Sequence, residues 1–412
     1  MGFDKLYGNA VLTEEFEDGR SRNINAVRDI TQQWVEKQMG GRESEFTGTP
    51  VAGTIFCGTW NVNAKKQESS LRCWLMPTNS TPSIDIYAIG FQEIVDLNAS
   101  NVLLDGSKTV ERAKFWQNKI EECLPQNGNY KLVMSKALVG LLLCVYVSNR
   151  IIPYVKDVRA THQPTGIMGV MGNKGGVCVR LSVHDTSLCF VCAHLAAHRE
   201  NVVGRNADFK TIIDGATFDR VETDDAEVSV KAGGGDAVMR PLRGAALSMT
   251  RDLDLMGDHE LLFWLGDLNY RIADSMTTED VFARIEAGDL ASLWEVDQLA
   301  IEMEKGTAFQ GFSEGQLAFR PTYKYQPGTN AYDRRPDKKI RTPAWCDRVL
   351  WRSTLSDDMY PVRLCFYQSA DLLPSDHKPV SALFTVKFRD RIEKVCMHAF
   401  GVNSCSLIIL HV

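Results

Sequence analysis

The chain has no apolar run long enough to cross a bilayer. Its longest, Ala137 to Val147, is far short of the ~20 residues a spanning helix needs. No Cys/His set stands at zinc spacing and nothing resembles a Cys-x5-Arg phosphatase loop or a Walker motif, which disfavours a zinc centre and a cysteinyl-phosphate mechanism. An excess of positive charge is missing too. With 46 Lys and Arg against 52 Asp and Glu, the net charge of −6 argues against a general nucleic-acid coat. Any anionic substrate must then be met by local basic clusters. The 11 cysteines show no framework spacing and follow no secretory leader, which fits free thiols in a reducing compartment. Cys189-Phe-Val-Cys192 lies in an apolar run, where strand geometry turns its two thiols to opposite faces. Gly2 is followed by Leu6 where a myristoylation signal wants Ser or Thr, and the end Ile409-Leu-His-Val412 carries no prenylation cysteine. Any membrane contact is expected to be peripheral.

What is present is the composition of a folded protein: 44% hydrophobic and 24% charged over 412 residues, room for one large domain or two ordinary ones. Residues 1–20 are acidic and unpatterned. Ile24, Val27, Ile30, Trp34 and Val35 recur at helical spacing between a capping Asn23 and Gly40-Gly41, which predicts an amphipathic helix within 21–49. From about residue 50 to 390, short apolar runs alternate with polar loops. Strands are predicted at Thr54–Trp60, Ile84–Phe91, Ala137–Val147, Val177–Val183, Leu188–Ala193, Leu261–Leu265, Asp347–Trp351 and Val380–Val386, with a helix over Phe115–Leu124. This pattern predicts a layered α/β fold with mixed sheets. Residues 217–258 read as a long insertion, and 391–412 as a short tail. Residues 324–341 form a polar loop in which Arg334, Arg335, Lys338, Lys339 and Arg341 stand against Asp333 and Asp337.

The strand ends repeat one chemistry. Thr54–Trp60 stops at Asn61-Val-Asn63, Ile84–Phe91 at Gln92-Glu93, and Leu188–Ala193 at His194, with His198 just beyond. The run Leu261–Leu265 stops at Gly266 and displays Asp267 and Asn269, and Asp376-His377 completes the series. Each alone is an ordinary turn or cap; five such sets at strand C-termini suggest one site. Hard oxygen ligands without a thiol–imidazole set point to Mg²⁺, which keeps most of its waters and takes one or two carboxylates plus substrate phosphate. Phosphoryl removal needs charge stabilisation and an in-line water more than a protein nucleophile.

Gly58-Thr-Trp-Asn-Val-Asn63, Phe91-Gln-Glu-Ile94, Gly172-Asn-Lys-Gly-Gly176, Ala193-His-Leu-Ala-Ala-His198, Trp264-Leu-Gly-Asp-Leu-Asn-Tyr-Arg271, Pro343-Ala-Trp-Cys-Asp-Arg348 and Ser375-Asp-His-Lys378 resemble, in order, the motifs of inositol polyphosphate 5-phosphatases. The resemblance covers about residues 50–388. It implies a four-layer α/β sandwich with two mixed β-sheets flanked by helices, shared with exonuclease III and deoxyribonuclease-type endonucleases, and Mg²⁺ as cofactor. It implies Glu93 as metal ligand with Asn61 nearby and Asp376 assisting. Asp267 matches the group aligning or deprotonating the attacking water, Asn269 and His194 the donors to phosphoryl oxygens, His377 the histidine on the scissile phosphate, and Asp347 its orienting carboxylate. Tyr323, Lys324 and Arg341 match positions that hold a neighbouring 4-phosphate, and Asn173 and Lys174 another substrate-side motif. Leu138–Leu143 resembles a membrane-facing loop, although a buried strand covers most of it. Ala64 stands where glycine commonly follows the Trp-Asn-Val-Asn tetrad.

The expected function is therefore Mg²⁺-dependent hydrolysis of the 5-phosphate of phosphoinositides, phosphatidylinositol 4,5-bisphosphate first. The 3,4,5-trisphosphate lipid and soluble inositol polyphosphates are further substrates. The expected protein is a cytoplasmic monomer visiting membrane surfaces transiently, with no nucleic acid partner. The alternatives are a nuclease or other phosphodiesterase of the same superfold, which needs a basic track, and a non-catalytic phosphoinositide-binding module, which would lack some of Glu93, Asp267, Asn269 and His377.

Overall fold

The computed structural model describes residues 48–76, 83–97, 106–125, 129–166, 173–219 and 253–390. The chain divides into a unit spanning Pro50–Phe388 and a second made of residues 1–49 and 389–412. Nearly all of the second unit, with the acidic 1–20 segment, the helix predicted in 21–49 and the 391–412 tail, lies outside the described residues.

In chain order the first unit begins with β1 (Val51–Asn61), α1 (Arg72–Leu75), β2 (Ile86–Gln92), α2 (Gly106–Glu121), β3 (Lys131–Leu138) and β4 (Leu141–Val147). It continues with β5 (Val155–Pro164), β6 (Gly175–Val183), β7 (Thr186–His194), α3 (Val202–Gly215), β8 (Thr217–Asp219) and β9 (Leu253–Leu255). After β10 (Leu261–Asp267) come α4 (Thr278–Ala287), α5 (Leu290–Trp294), α6 (Gln298–Glu304), β11 (Ser313–Glu314), β12 (Asp347–Ser353), β13 (Arg363–Ser369) and β14 (Val380–Phe388). One sheet runs β13-β14-β1-β2-β4-β3 and the other β11-β12-β10-β7-β6-β5. Each has a central parallel pair, β1 with β2 and β10 with β7, flanked by antiparallel neighbours. Both sheets are mixed, as expected.

The layers follow from period-2 alternation on strands buried on both faces. Along β10, Leu261, Phe263 and Leu265 point between the sheets. Leu262 and Trp264 point outward, onto Phe209 and Ile212 of α3 and Leu299 of α6. On the other sheet Phe56, Trp60, Ile89 and Phe91 pack against Trp74 of α1 and Trp116 and Ile120 of α2. Removing any one of these large side chains costs on the order of 3–5 kcal/mol. Between the sheets, a Cβ at Gly90 would lie 2.8 Å from both Cys192 Sγ and Leu265 Cδ1. Cys189 faces the outer layer and Cys192 the interior.

Several expectations change. The predicted Ala137–Val147 strand is a hairpin, because Val139 takes φ 48 and Gly140 completes a turn between β3 and β4. Leu141, Leu142 and Leu143 are fully buried, so most of the segment compared with a membrane-facing loop is core. The helix placed at Phe115–Leu124 runs instead over Gly106–Glu121. Of the 217–258 insertion, the two described ends pair as β8 and β9. Strands β5 and β13 escaped the sequence pattern because they are partly exposed edge strands with charged residues and no continuous apolar run.

Candidate active site

Strand register assembles the site. Asn61 stands opposite Gln92 in the parallel β1–β2 pair, which brings Glu93 alongside it. Asp267 stands opposite His194 in β7 and opposite Asp347 in β12. Asp347 therefore opens its strand, as predicted, and Asp376-His377 precede β14. The expected placement of every strand-end set at a C-terminus is corrected for Asp376-His377. Both groups belong to antiparallel neighbours, whose beginnings lie at the same end of the sheet as the parallel strands' ends.

The backbone bends where these side chains leave their strands. Asn63, Ala64, Glu93 and Asn269 take φ of 45, 55, 54 and 58, a left-handed region that costs a non-glycine residue about 1–2 kcal/mol. Ala64 N donates to Glu93 O at 2.7 Å, locking the two bends together. Gly266 takes φ 150, and a Cβ there would fall 2.0 Å from Ala193 O. Glycine lets β10 continue past the apolar run and present Asp267 beside His194. Ser375 Oγ donates to Asn61 O at 2.6 Å and Trp60 Nε1 to His377 O at 3.0 Å, fastening the His377 loop to the end of β1.

Asp267, from the second sheet, occupies the centre. Its Oδ2 accepts from Asn61 Nδ2 of the first sheet at 2.9 Å, and its Oδ1 from Asn269 N at 3.1 Å. His194 Nε2 lies 3.3 Å and His377 Nε2 3.9 Å from Oδ2. Burial alone would raise this carboxyl's pKa. The charges of His194, His377 and Lys174, with a hydrogen bond from His194, overcome burial and hold it well below the carboxylate range. Asn61 Nδ2 also donates to Glu93 Oε1 at 3.1 Å, so one amide bridges two carboxylates.

His377 Nδ1 is 2.9 Å from Asp347 Oδ2, which also accepts from Thr322 Oγ1 at 2.7 Å. Burial disfavours the imidazolium, but Asp347 and Asp267 outweigh it and raise the His377 pKa to about 9. Asp267, Asp347 and His377 offer ligand atoms all within 4.8 Å of one another. An imidazolium has no lone pair to give a cation, so this trio suits proton and charge handling. Glu93 and Asn61 supply the hard oxygen chemistry a Mg²⁺-type ion prefers, and the Glu93 side chain keeps 29% of its surface exposed.

The remaining predicted residues surround this centre. Lys174 Nζ meets His194 Nε2; burial holds the ammonium below its usual range against the pull of Asp267 and Glu93. The Oδ1 of Asn173 is buried without a hydrogen-bond partner among the described residues. The Tyr323 ring lies 4.7 Å from the His377 ring. Lys324 Nζ pairs with Asp376 Oδ2 at 2.9 Å, so the carboxylate expected to assist the metal is engaged by a cation. Tyr323 and Arg341 line a cavity of about 290 Å³ with Arg271, Arg199, His198 and Lys339. Arg199 is anchored there by the carbonyls of Ile272, Ala273 and Met276.

Arg271 was quoted within its motif but given no task. Its Nη2 donates to Asn269 Oδ1 at 2.5 Å and its Nε to Asn269 O at 3.1 Å, with the guanidinium 4.5 Å from the Tyr323 ring centre. Thr322 and Asp208, which accepts from Ala196 N at 2.8 Å, were likewise missed. Neither sits at a predicted strand end or within the quoted motifs.

The chain matches the family described as Endonuclease/Exonuclease/phosphatase family 2 over residues 58–383. A synaptojanin of Caenorhabditis elegans is 36% identical over 87% of this chain and 29% of its own length. The chain thus spans less than a third of that relative. Type I inositol polyphosphate 5-phosphatase 8 of Arabidopsis thaliana is 34% identical over 81% of this chain and 70% of its own length. The crystal structure of the inositol polyphosphate 5-phosphatase domain of SPsynaptojanin, in complex with inositol (1,4)-bisphosphate and calcium ion, superposes with a TM-score of 0.70 at 32% identity. It covers 89% of this chain and 93% of that one. Fold, strand-end chemistry and sequence kinship converge, and the chain belongs to the inositol polyphosphate 5-phosphatase family.

Proposed function

We propose that the protein is a Mg²⁺-dependent phosphomonoesterase that removes the 5-phosphate of phosphoinositides. Phosphatidylinositol 4,5-bisphosphate is the leading substrate, with the 3,4,5-trisphosphate lipid and soluble inositol polyphosphates after it. It works in the cytoplasm and transiently at membrane surfaces. One observation carries the reading: an ionised Asp267 held between two histidines and an amide, near a cavity lined by Tyr323, Arg271 and Arg341 among others.

Glu93, with Asn61 beside it, would hold the metal, and Asp376 stands ready to assist from its pair with Lys324. When bound, the ion supplies Lewis-acid neutralisation of phosphoryl and leaving-group oxygens. The chain's own residues do the rest. Asp267 stays ionised through the physiological range and accepts a hydrogen from the attacking water, holding it in line with the scissile bond. Asn269 spends one amide hydrogen on Leu195 O at 3.1 Å; the other is free for a phosphoryl oxygen, and Arg271 fixes the amide's rotation. His194 donates to the same oxygens. His377, kept protonated by Asp347, directs Nε2–H at the phosphate as negative charge grows. Tyr323, Lys324 and Arg341 take the 4-phosphate, since guanidinium and ammonium groups bind phosphate through charge-assisted hydrogen bonds. Asn173 and Lys174 complete the substrate side.

The test is phosphate release with Mg²⁺ and with chelator over a panel of phosphoinositides and soluble inositol phosphates. Mg²⁺-dependent release from 5-phosphorylated members alone is the expected result. Release from none, with nicking of DNA or RNA instead, moves the chain to the nuclease reading. Glu93→Gln is expected to lower turnover by about 10²–10³-fold; near-normal turnover in Mg²⁺ refutes the metal assignment.

A further inference from the structure

Lys378 follows His377 in the Ser375-Asp-His-Lys378 motif, and the chemistry proposed above gives it no task. An ammonium is costly to bury, yet only 2% of this residue reaches solvent. Its Nζ donates to Asn330 Oδ1, to Leu372 O at 3.3 Å and, more loosely, to Thr329 O at 3.5 Å. It also lies 4.8 Å from the centre of the Tyr325 ring. Three ammonium hydrogens thus meet two carbonyls and an amide oxygen beside an aromatic face. Burial lowers the Lys378 pKa, against the charge of Asp371. None of the groups that Nζ holds belongs to the site.

The ammonium joins two segments. Residues 323–333 form a short hairpin, in which Tyr325 bridges Tyr332. Asp333 N donates to Lys324 O and Gln326 N to Ala331 O, both at 2.9 Å. The Tyr325 and Tyr332 rings stack with centres 4.4 Å apart. The base of this hairpin carries Tyr323 and Lys324, and its tip is 327–330. Segment 372–378 runs alongside. At the base, Tyr323 bridges His377, while Lys378 N donates to Thr322 O and Tyr325 N to Asp376 O, both at 2.9 Å. At the tip, Gly328 N donates to Leu373 O at 2.6 Å. Lys378 spans the two levels, its backbone at the base and its ammonium at the tip.

We propose that Lys378 is a positioning residue for substrate selection. By clamping the hairpin tip to the segment that carries His377, it fixes Tyr323 and Lys324 relative to the scissile phosphate. The inference deepens the proposed activity and rests on the assignment of Tyr323 and Lys324 to the 4-phosphate. The inositol ring sets the separation of two neighbouring phosphates, so a site that reads both must keep two sets of donors in register. A misplacement of about 1 Å is enough to lose much of that benefit. A two-stranded hairpin is marginal by itself, so its geometry comes from what fastens it. Lys378 acts through Tyr323 and Lys324 without touching substrate. Its loss should therefore weaken capture of a 4-phosphorylated substrate and spare one that lacks this phosphate.

The experiment compares kinetics of the full chain with Mg²⁺ on inositol 1,4,5-trisphosphate and on inositol 1,5-bisphosphate, with amide hydrogen exchange in parallel. Lys378→Met keeps the stem and removes the ammonium. It should raise KM for the trisphosphate about tenfold and leave KM for the bisphosphate and both kcat values within about twofold. Exchange at the Gly328 and Asp333 amides should quicken. Asn330 is exposed, so its substitution leaves the core intact. Asn330→Leu should shift the same KM in the same direction, whereas Asn330→Asp, which keeps an acceptor, should not. The double variant Lys378→Met with Asn330→Leu should be no worse than Lys378→Met alone. Equal KM shifts on both substrates, the mark of a merely structural role, overturn the proposal, as does an unshifted KM in Lys378→Met. If Lys378→Met does not fold, the Asn330 pair decides by the same criterion. A parent that hydrolyses neither substrate strikes the proposed activity instead, and unchanged exchange in the variants then overturns the clamp.

Discussion

Two groups of buried charge meet at adjacent residues of β12, and they are built to opposite ends. Arg348 donates from Nη1 to both oxygens of Asp297 at 3.0 Å, and from Nε and Nη2 to Glu314 at 2.6 and 2.5 Å. Asp297 also caps α6 through Ala300 N at 3.0 Å, and Glu314 accepts from Tyr367 at 3.0 Å. That network is closed: one guanidinium serves two carboxylates, and it ties α6, β11, β12 and β13 together. One residue earlier, Asp347 holds His377 with one oxygen while its other has no hydrogen-bond partner among the described residues. Around it stand Asp267, His194 and Lys174, all compressed at the mouth of the two sheets. Buried charge in the first case is architecture. In the second it is capacity left over for a ligand, and the crowding sets the protonation states that chemistry uses.

The two networks should fail differently. Asp267→Asn removes the carboxylate at the centre of the open network and should reduce phosphate release by about 10³-fold or more, with the chemical denaturation midpoint little changed. A parental rate would remove Asp267 from the chemistry. Arg348→Met should do the reverse. It strands two buried carboxylates and should cost about 3–5 kcal/mol of stability in urea unfolding, while the fraction that folds hydrolyses substrate at the parental rate. Equal stability would show that the closed network carries no architecture.

The open network should also announce itself in pH. Because His377 is raised to about 9 by Asp347 and Asp267, its imidazolium persists at neutral pH, and turnover should fall as pH rises through about 9. Its contribution to stability has the same sign: fully present below the ordinary histidine pKa, lost as pH rises through the raised one. Asp347→Asn takes away the charge that raises it, so the alkaline limb should move to lower pH. An unmoved limb assigns that titration elsewhere. Lys324→Ala with Arg341→Ala should lower the preference for 4,5-bisphosphorylated over 4-dephosphorylated substrates about tenfold; an unchanged rate ratio dissociates both cations from the 4-phosphate. The smallest effect belongs to Ala64, at φ 55. Ala64→Gly should raise stability by about 1 kcal/mol without touching turnover, and a loss of stability would mean the methyl group packs usefully.

The sequence by itself determined which segments are strands buried on both faces, because continuous apolar runs such as Leu261–Leu265 survive only between two layers. It also determined the chemical types at their ends. Asn61, Glu93, His194 and Asp267 were legible singly, since a polar group that closes an apolar run must sit at the edge of the core. It did not reveal the edge strands β5 and β13, whose half-exposed residues carry no run, nor the turn at Val139–Gly140 inside one. Only the tertiary structure decided which of these residues touch, because strand register sets which residue stands opposite which, and register is a long-range pairing. Asn61 meets Asp267 across two sheets and 206 positions of chain. Likewise only packing decided protonation. The same aspartate and histidine types occur along the chain, and the number of opposite charges brought within a few ångströms in a dry place makes Asp267 a persistent anion and His377 a persistent cation.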